Sequence, residues 1–315
     1  MNRSQLLLVL VTLTVVAALI GASLYVGVLK DDDRLQVVAS FYPLAYMARE
    51  IGGERVTVTC LIPYNSEVHA WQPSPSDIIA ADNADVLLYN GAGLDPWFEE
   101  DILPALGDNE RIVVETTHGL ELDDTGLLAG TRQDDDHDHG DVDPHTWVSP
   151  FIARQQAEKI YEALVEADPE GESHYQAGWA NLSAKFDDLD SRYMAELAVK
   201  TNGTVIVAHA AYGYLAQRYG FEQHGVIGLS ADEQPSASVI AGISDLMEDE
   251  SIYTLYVNPI YSDAYIQTLK TEIQSRTGND VYVHKLYLML GPTDGLDYLE
   301  QMEQNLENLK YGLVG

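Results

Sequence analysis

Short apolar runs alternate with amphipathic stretches along most of this chain. Leu35–Ser40 and Val56–Leu61 read as buried strands. Between them Tyr42–Ile51 has helical spacing and stops at Gly52-Gly53, a suitable helix terminator. Val86–Tyr89 and Arg111–Val114 read as the third and fourth strands, with a helical stretch, Trp97–Leu106, between them. After residue 149 the pattern changes. Pro150–Ala167 places Ile152, Ala157, Ile160 and Leu164 on one helical face, and Glu172–Val199 continues as a long helix after the break at Asp168-Pro169. Alternation then resumes with Thr204–Ala208 (strand), a further strand starting near Phe221, Ala237–Glu248 (helix), Tyr253–Val257 (strand), Ala264–Ser275 (helix), Val281–His284 (strand) and Leu296–Leu309 (helix).

Strands alternating with helices imply an α/β protein with mainly parallel sheets. Two consecutive helices in the middle act as a spacer, so the expected fold is two lobes, each a small parallel sheet flanked by helices, joined by a long rigid linking helix. The corresponding limits are 35–171 for the N-terminal lobe, 172–200 for the linking helix and 201–315 for the C-terminal lobe. The two halves repeat the same pattern, a duplication too weak to appear as sequence identity.

Residues 1–34 stand apart. Leu6–Leu29 is an apolar run without a charge, about 36 Å long at ~1.5 Å per residue, against a bilayer core of roughly 30 Å. That exceeds the apolar region of about 7–15 residues in a secretory signal, so an uncleaved membrane anchor with the soluble part outside is expected. Cleavage near Ala22-Ser23, giving a secreted protein, is the alternative. With no cysteine closing the run, a lipid anchor is not expected.

Composition narrows the classes of partner. A formal net charge of −33 opposes binding to nucleic acid and to anionic membrane surfaces, which repel such a protein. The acidic residues are spread along the chain, as on a surface adapted to high salt or on an acidic outer-surface protein. The single cysteine, Cys60, excludes a disulfide framework and a cysteine-based zinc knuckle. Inside the run Val56–Ile62 it reads as a small core residue.

The candidate chemistry lies in histidines. Asp134–Pro150 packs six aspartates and three histidines into seventeen residues. Imidazole and carboxylate together suit a divalent transition metal. Its first part, Asp134–Asp141, is a low-complexity acidic stretch carrying His137 and His139. It is expected to be disordered, since it has almost nothing apolar to bury, and to collect zinc weakly. Its second part, Asp143-Pro144-His145-Thr146-Trp147, is braced by a proline and an aromatic anchor, so His145 can be held in one place. His69 follows a strand, in Glu67-Val68-His69-Ala70-Trp71-Gln72-Pro73, where Ser74 or Ser76 can cap the next helix. His209 ends a strand. In parallel sheets such strand ends face the ligand crevice. Taken singly, each also fits a loop histidine bonded to its neighbours. Taken together, three imidazoles satisfy most of a four-ligand zinc shell.

The motifs VVASFYPLAYMAREIGG, EVHAWQPSPSD, DPHTWVSP, VAHAAYGYLAQRYGF and GLDYLEQMEQNLENLK, in this order and spacing, make the chain similar to the metal-binding receptors of ABC-type zinc and manganese importers, the cluster A-I solute-binding proteins. The resemblance runs from about Val37 to Leu313. It implies two α/β lobes bridged by a rigid helix, with the metal between them on His69, His145 and His209, and delivery to an ABC permease. Manganese members tend to carry a carboxylate at the third position, whereas His209 matches the zinc members. Zn²⁺ is therefore the expected cargo and Mn²⁺ the less favoured one. The His/Asp-rich stretch before the second ligand is also typical of zinc members.

The sequence departs from the family at the fourth ligand. Many members place an Asp in the last lobe, where VYVHKLYLMLGPT offers no carboxylate; Tyr287 lies near that position, and His284 sits inside an apolar strand. Glu67, two residues before His69, or a water completes the shell. Because imidazole ligates only when neutral, affinity is expected to fall as pH drops through roughly 6.5. A monomeric receptor, not an enzyme, is the expected reading. Three imidazoles and a water would also suit a zinc hydrolase, but HExxH is absent and Glu67 is the one evident base. A surface adhesin stabilised by metal is the remaining alternative.

Overall fold

The computed structural model describes residues 34–122, 142–229 and 234–315. The N-terminal segment 1–33 and the acidic stretch with His137 and His139 lie outside the described residues. Among the described residues, no helix is long and apolar enough to cross a membrane.

The first lobe is built on four parallel strands: β1 (Leu35–Ala39), β2 (Val56–Cys60), β3 (Val86–Tyr89) and β4 (Ile112–Glu115), in the order β2-β1-β3-β4. β3 is buried along its whole length, as a strand covered on both faces must be. Helix α1 (Tyr42–Gly52) connects β1 to β2. Helix α2 (Pro75–Asp82) starts at Ser74, whose backbone N–H donates to Asp77 Oδ2 at 2.8 Å in a capping box. The segment expected to form a helix over 97–106 differs. It forms one π turn, Phe98–Ile102, followed by a 3₁₀ turn, Leu103–Ala105. Pro104 has no N–H to donate back along an α-helix, which prevents the longer helix.

Helix α3 (Pro150–Ala167) packs across this lobe, and a 3₁₀ turn at Pro169–Gly171 leads into α4 (Glu172–Glu196). With 25 residues, α4 is about 37 Å long. It buries Leu182, Phe186, Leu189 and Tyr193 on one face, the i, i+4, i+7 spacing of an apolar stripe. Gly178 of α4 lies so close to the Ile51 backbone that any Cβ there would collide with it. Glycine thus allows α4 to seat directly on α1.

The second lobe repeats the first. Strands β5 (Thr204–His209), β6 (Glu222–Ile227), β7 (Thr254–Val257) and β8 (Tyr282–Lys285) are parallel in the order β6-β5-β7-β8. In both sheets the first strand lies between the second and the third, so the duplication expected from the sequence is present in the topology. Helices α5 (Gly213–Tyr219), α6 (Ala237–Asp249), α7 (Ala264–Thr277) and α8 (Tyr298–Leu313) complete the lobe.

One apolar core runs through both lobes. It includes Val37 and Leu87 of the first, Leu182 and Phe186 of α4, and Val207, Leu288 and Tyr298 of the second. A smaller cluster, centred on Met247, Leu255 and Leu269, lies under α6 and α7. Tyr193 donates from its hydroxyl to the Met302 carbonyl at 2.7 Å and so ties α4 to α8. The C-terminal ends of β2 and β5 lead to the same place, where the histidines meet.

Candidate metal site

His69, His145 and His209 converge. Each offers one ring nitrogen, and the three atoms lie within 4.8 Å of one another. His69 is held in the β2–α2 loop by a local turn: Glu67 Oε1 accepts the backbone N–H groups of Val68 and His69, each at 3.0 Å. Two residues further, Trp71 packs edge-on against Trp97 with ring centroids 4.4 Å apart. The turn and this aromatic anchor give the loop its shape.

His145 is 1% exposed and is oriented by its neighbour two residues back. Asp143 Oδ1 accepts the His145 backbone N–H at 2.9 Å and lies 2.8 Å from its ring Nδ1. A carboxylate oxygen can only accept, so Nδ1 carries the proton and the lone pair on Nε2 points into the cluster. That Nε2 is 3.3 Å from His69 Nε2. Two nitrogens each about 2.05 Å from a tetrahedral zinc would be separated by about 3.3 Å. The loop bearing His145 is also bonded to the second lobe. Trp147 Nε1 donates to the Leu288 carbonyl at 2.8 Å, and the hydroxyls of Tyr298 and Tyr214 donate to the carbonyls of Trp147 and Asp143 at 2.5 and 2.7 Å.

His209 is the last residue of β5 and is 4% exposed. Its Nε2 lies 2.7 Å from the Leu229 carbonyl, whereas its Nδ1 is buried with no hydrogen-bond partner. Burial disfavours the charged form of a group without counter-charge. It pushes His209 down to about 3, helped by the neighbouring His145 and His69 and opposed by the Leu229 carbonyl. Burial and His145 push His69 down to about 4, while Glu67 and Asp143 pull it partly back. Both rings are therefore neutral at physiological pH, as ligation requires.

Glu67 is not part of the group of atoms within 4.8 Å. One of its oxygens serves the turn, and the other, Oε2, is buried with no hydrogen-bond partner. Tyr287 donates from its hydroxyl to Asp294 Oδ2 at 2.8 Å, and its N–H donates to Asn305 Oδ1. His284 stacks on Tyr311 at 4.4 Å. His118 lies beside Glu115, His174 Nε2 faces the Gly52 carbonyl, and His224 lies near Glu222. None of these four histidines joins the cluster.

Asp143, Asn90, Tyr214 and the Leu229 carbonyl have no role in the reading of the sequence. Only Asp143 left a signal there, an acidic residue two positions before a histidine with a proline between them.

Two parallel sheets meeting at a buried cluster of three imidazoles, and bridged by a single helix, define a two-lobed metal-binding solute receptor. The family model described as "ZnuA: Zinc-uptake complex component A periplasmic" matches residues 37–312, and the chain belongs to this family. It is 30% identical over 291 residues to the high-affinity zinc uptake system protein ZnuA of Bacillus subtilis (strain 168), covering 90% of this chain and 88% of that protein. It is 29% identical to the zinc-binding lipoprotein AdcA of Streptococcus pneumoniae (strain ATCC BAA-255 / R6) over 89% of this chain and 56% of that longer protein. Among solved structures, the Zn(II)-bound ZnuA-like domain of Streptococcus pneumoniae AdcA matches with a TM-score of 0.72 at 26% identity, over 89% of this chain and 98% of that domain. The metal-dependent lipoprotein YcdH of Bacillus subtilis matches with a TM-score of 0.74 at 28% identity, over 90% of this chain and all of that one.

Proposed function

We propose that this protein is an extracytoplasmic zinc receptor that binds one Zn²⁺ tightly through His69, His145 and His209 and delivers it to the permease of an ABC-type importer. The observation that carries this reading is the trio of ring nitrogens within 4.8 Å, two of them on rings held neutral and the third aimed by Asp143. The protein acts as a solute receptor and makes or breaks no covalent bond. A histidine at residue 209, where a carboxylate would favour Mn²⁺, supports zinc as the cargo, since imidazole nitrogen suits zinc and carboxylate oxygen suits manganese.

Glu67 is our candidate for the fourth donor. Its buried, unpartnered Oε2 is a group that burial penalises until something pairs with it, and a cation supplies that pairing. A carboxylate in the shell would also offset part of the ion's charge, which three neutral imidazoles leave uncompensated. Residues 137 and 139 would act as a weak collecting site ahead of the tight one. We further propose that residues 1–34 anchor a monomeric receptor to the cytoplasmic membrane, with its soluble part outside. Its units are 35–171, 172–200 and 201–315, the middle one being the link between lobes.

The test is titration of residues 34–315 with Zn²⁺ and Mn²⁺ in competition, with elemental analysis of the saturated protein. One tightly held zinc per chain is expected, with Mn²⁺ displaced. His69→Ala, His145→Ala and His209→Ala should each weaken zinc binding by orders of magnitude, while His118→Ala, His174→Ala and His224→Ala leave it unchanged. Tight zinc that survives all three of the first substitutions would place the ion elsewhere and sink the proposal.

A further inference from the structure

Asn90 is 0% exposed and stands just beyond the C-terminal end of β3. Its side-chain amide has two protons to donate and one oxygen that accepts twice, and all four capacities meet a partner. Nδ2 donates to the Gly91 and Pro144 carbonyls, each at 3.0 Å. Oδ1 accepts from Gln156 Nε2 at 3.0 Å and shares the Thr146 hydroxyl, 3.1 Å away, with Gln156 Oε1 at 3.2 Å. Pro144 and Thr146 are the residues on either side of His145. The Asn90 side chain therefore grips the chain immediately before and immediately after that imidazole.

The grip is itself anchored. The Asn90 backbone N–H donates to Asp95 Oδ2 and that of Gly91 to Asp95 Oδ1, each at 2.8 Å. The Asn90 carbonyl accepts from Thr117 N at 3.1 Å and Thr117 Oγ1 at 2.7 Å. Gln156 of α3 continues the network to Thr116 Oγ1 at 2.9 Å. The loop of His145 is thereby referred to the ends of β3 and β4 and to α3, the rigid parts of the first lobe. A buried network this densely bonded favours one geometry, because alternatives leave more donors and acceptors unpaired.

We propose that Asn90 is a positioning residue for zinc capture: it places His145 at the distance from His69 and His209 that the ion requires. The proposal rests on His145 being a ligand. It differs from the role of Asp143, which sets the tautomer and tilt of the ring; Asn90 sets where the loop stands.

The experiment compares Asn90→Ser, Thr146→Val, His145→Ala and a distant control, Tyr193→Phe, which removes a buried hydrogen bond to Met302 without touching the site. For each, zinc affinity is measured by competition, the visible d–d spectrum is recorded after loading with Co²⁺, and the thermal midpoint of the apo protein is determined. Asn90→Ser should weaken zinc roughly 10–100-fold, the range seen when residues supporting a ligand are removed, and should shift or weaken the Co²⁺ bands. Thr146→Val, which deletes the shared hydroxyl, should move both readouts in the same direction by less. Tyr193→Phe should lower the midpoint and alter neither.

The proposal is overturned if Asn90→Ser and Thr146→Val bind zinc within about twofold of wild type and keep its Co²⁺ spectrum. Equal losses in the control would overturn it too, reducing the effect to stability. Should Asn90→Ser fail to fold, Thr146→Val decides alone. Wild-type affinity in His145→Ala would instead remove the reading of the site on which the proposal stands, so the two failures are distinguishable.

Discussion

The carboxylate of Asp143 holds His145 at two points through a single oxygen, meeting the backbone N–H at 2.9 Å and ring Nδ1 at 2.8 Å. The spacing of two residues with Pro144 between them makes this double contact local, so the pair travels as a unit. A carboxylate behind a ligating imidazole raises the basicity of the far nitrogen and fixes the ring's orientation.

From this pairing, Asp143→Asn should weaken zinc binding roughly tenfold and Asp143→Ala more, within the 10–100-fold span typical of such supporting groups. Asparagine retains an acceptor for the two N–H groups but not the negative charge. Competition against a zinc chelator measures both. Unchanged affinity in Asp143→Ala would mean that the ring needs no carboxylate to orient it.

Glu67 gives a second prediction. If Oε2 ligates, Glu67→Gln should cost about tenfold or more in zinc affinity, in line with loss of a carboxylate ligand, and narrow the preference for Zn²⁺ over Mn²⁺. A mild effect would give the fourth place to water. A zinc-bound crystal structure decides directly, through a carboxylate oxygen within about 2.0–2.2 Å of the ion.

The pH dependence departs from the expectation for a free imidazole. That expectation placed loss of affinity near 6.5, but burial lowers His69 to about 4 and His209 to about 3. In the folded receptor, protons therefore begin to compete for these two rings well below 6.5, and zinc binding should persist to about pH 5. Stability of the apo protein falls in the same direction but begins to fall at a higher pH. The unfolded rings take up protons near 6.5 while the folded ones do not, so the unfolded state binds more protons across the window from about 6.5 down to about 4 and 3. Stability contributed by the neutral rings is full above that window and falls as pH drops through it. Thermal midpoints of the apo protein from pH 7 to pH 4 should show this fall, and His209→Ala should flatten it. A zinc affinity that collapses between pH 7 and 6 would contradict the depressed values.

Deleting residues 134–141 provides a fourth test. The number of weak zinc sites seen in titration should drop, and the tight one should remain with its affinity intact. Loss of tight binding would show that His137 and His139 belong to the site itself.

The regular elements were legible because their apolar positions repeat at the period of the element. The long stripe from Leu182 to Tyr193 is an example, while β3 was legible as a short unbroken apolar run. Where no period exists the reading stopped short. Gly213–Tyr219 forms a helix of seven residues, too short for its apolar positions to repeat and announce it. Phe98–Ile102 winds more loosely than its spacing suggested because Pro104 follows. At the site, His69 and His209 were visible as residues after or at strand ends and His145 as one in a proline-braced loop before a helix. What aims them was not, because the bonds join distant segments: Asn90 to Pro144 spans 54 positions, and Tyr214 to Asp143 spans 71. Glu67 or a water was expected to complete the shell, and nothing in the sequence signalled that one Glu67 oxygen would accept the amides of its own turn.

The apolar core that runs unbroken from β1 through α4 to α8 restricts how the receptor can let go of its cargo. Swinging the lobes apart would pull Phe186 from Tyr298 and wet side chains that are now dry, at ~25 cal/mol for each Å² uncovered. The bridging helix therefore works as a splint, and every degree of opening costs apolar contact along it. The loop that carries His69 is stitched to the same block, since Asn65 N donates to the Leu290 carbonyl at 2.9 Å and Asn65 Nδ2 to the Pro292 carbonyl at 2.9 Å.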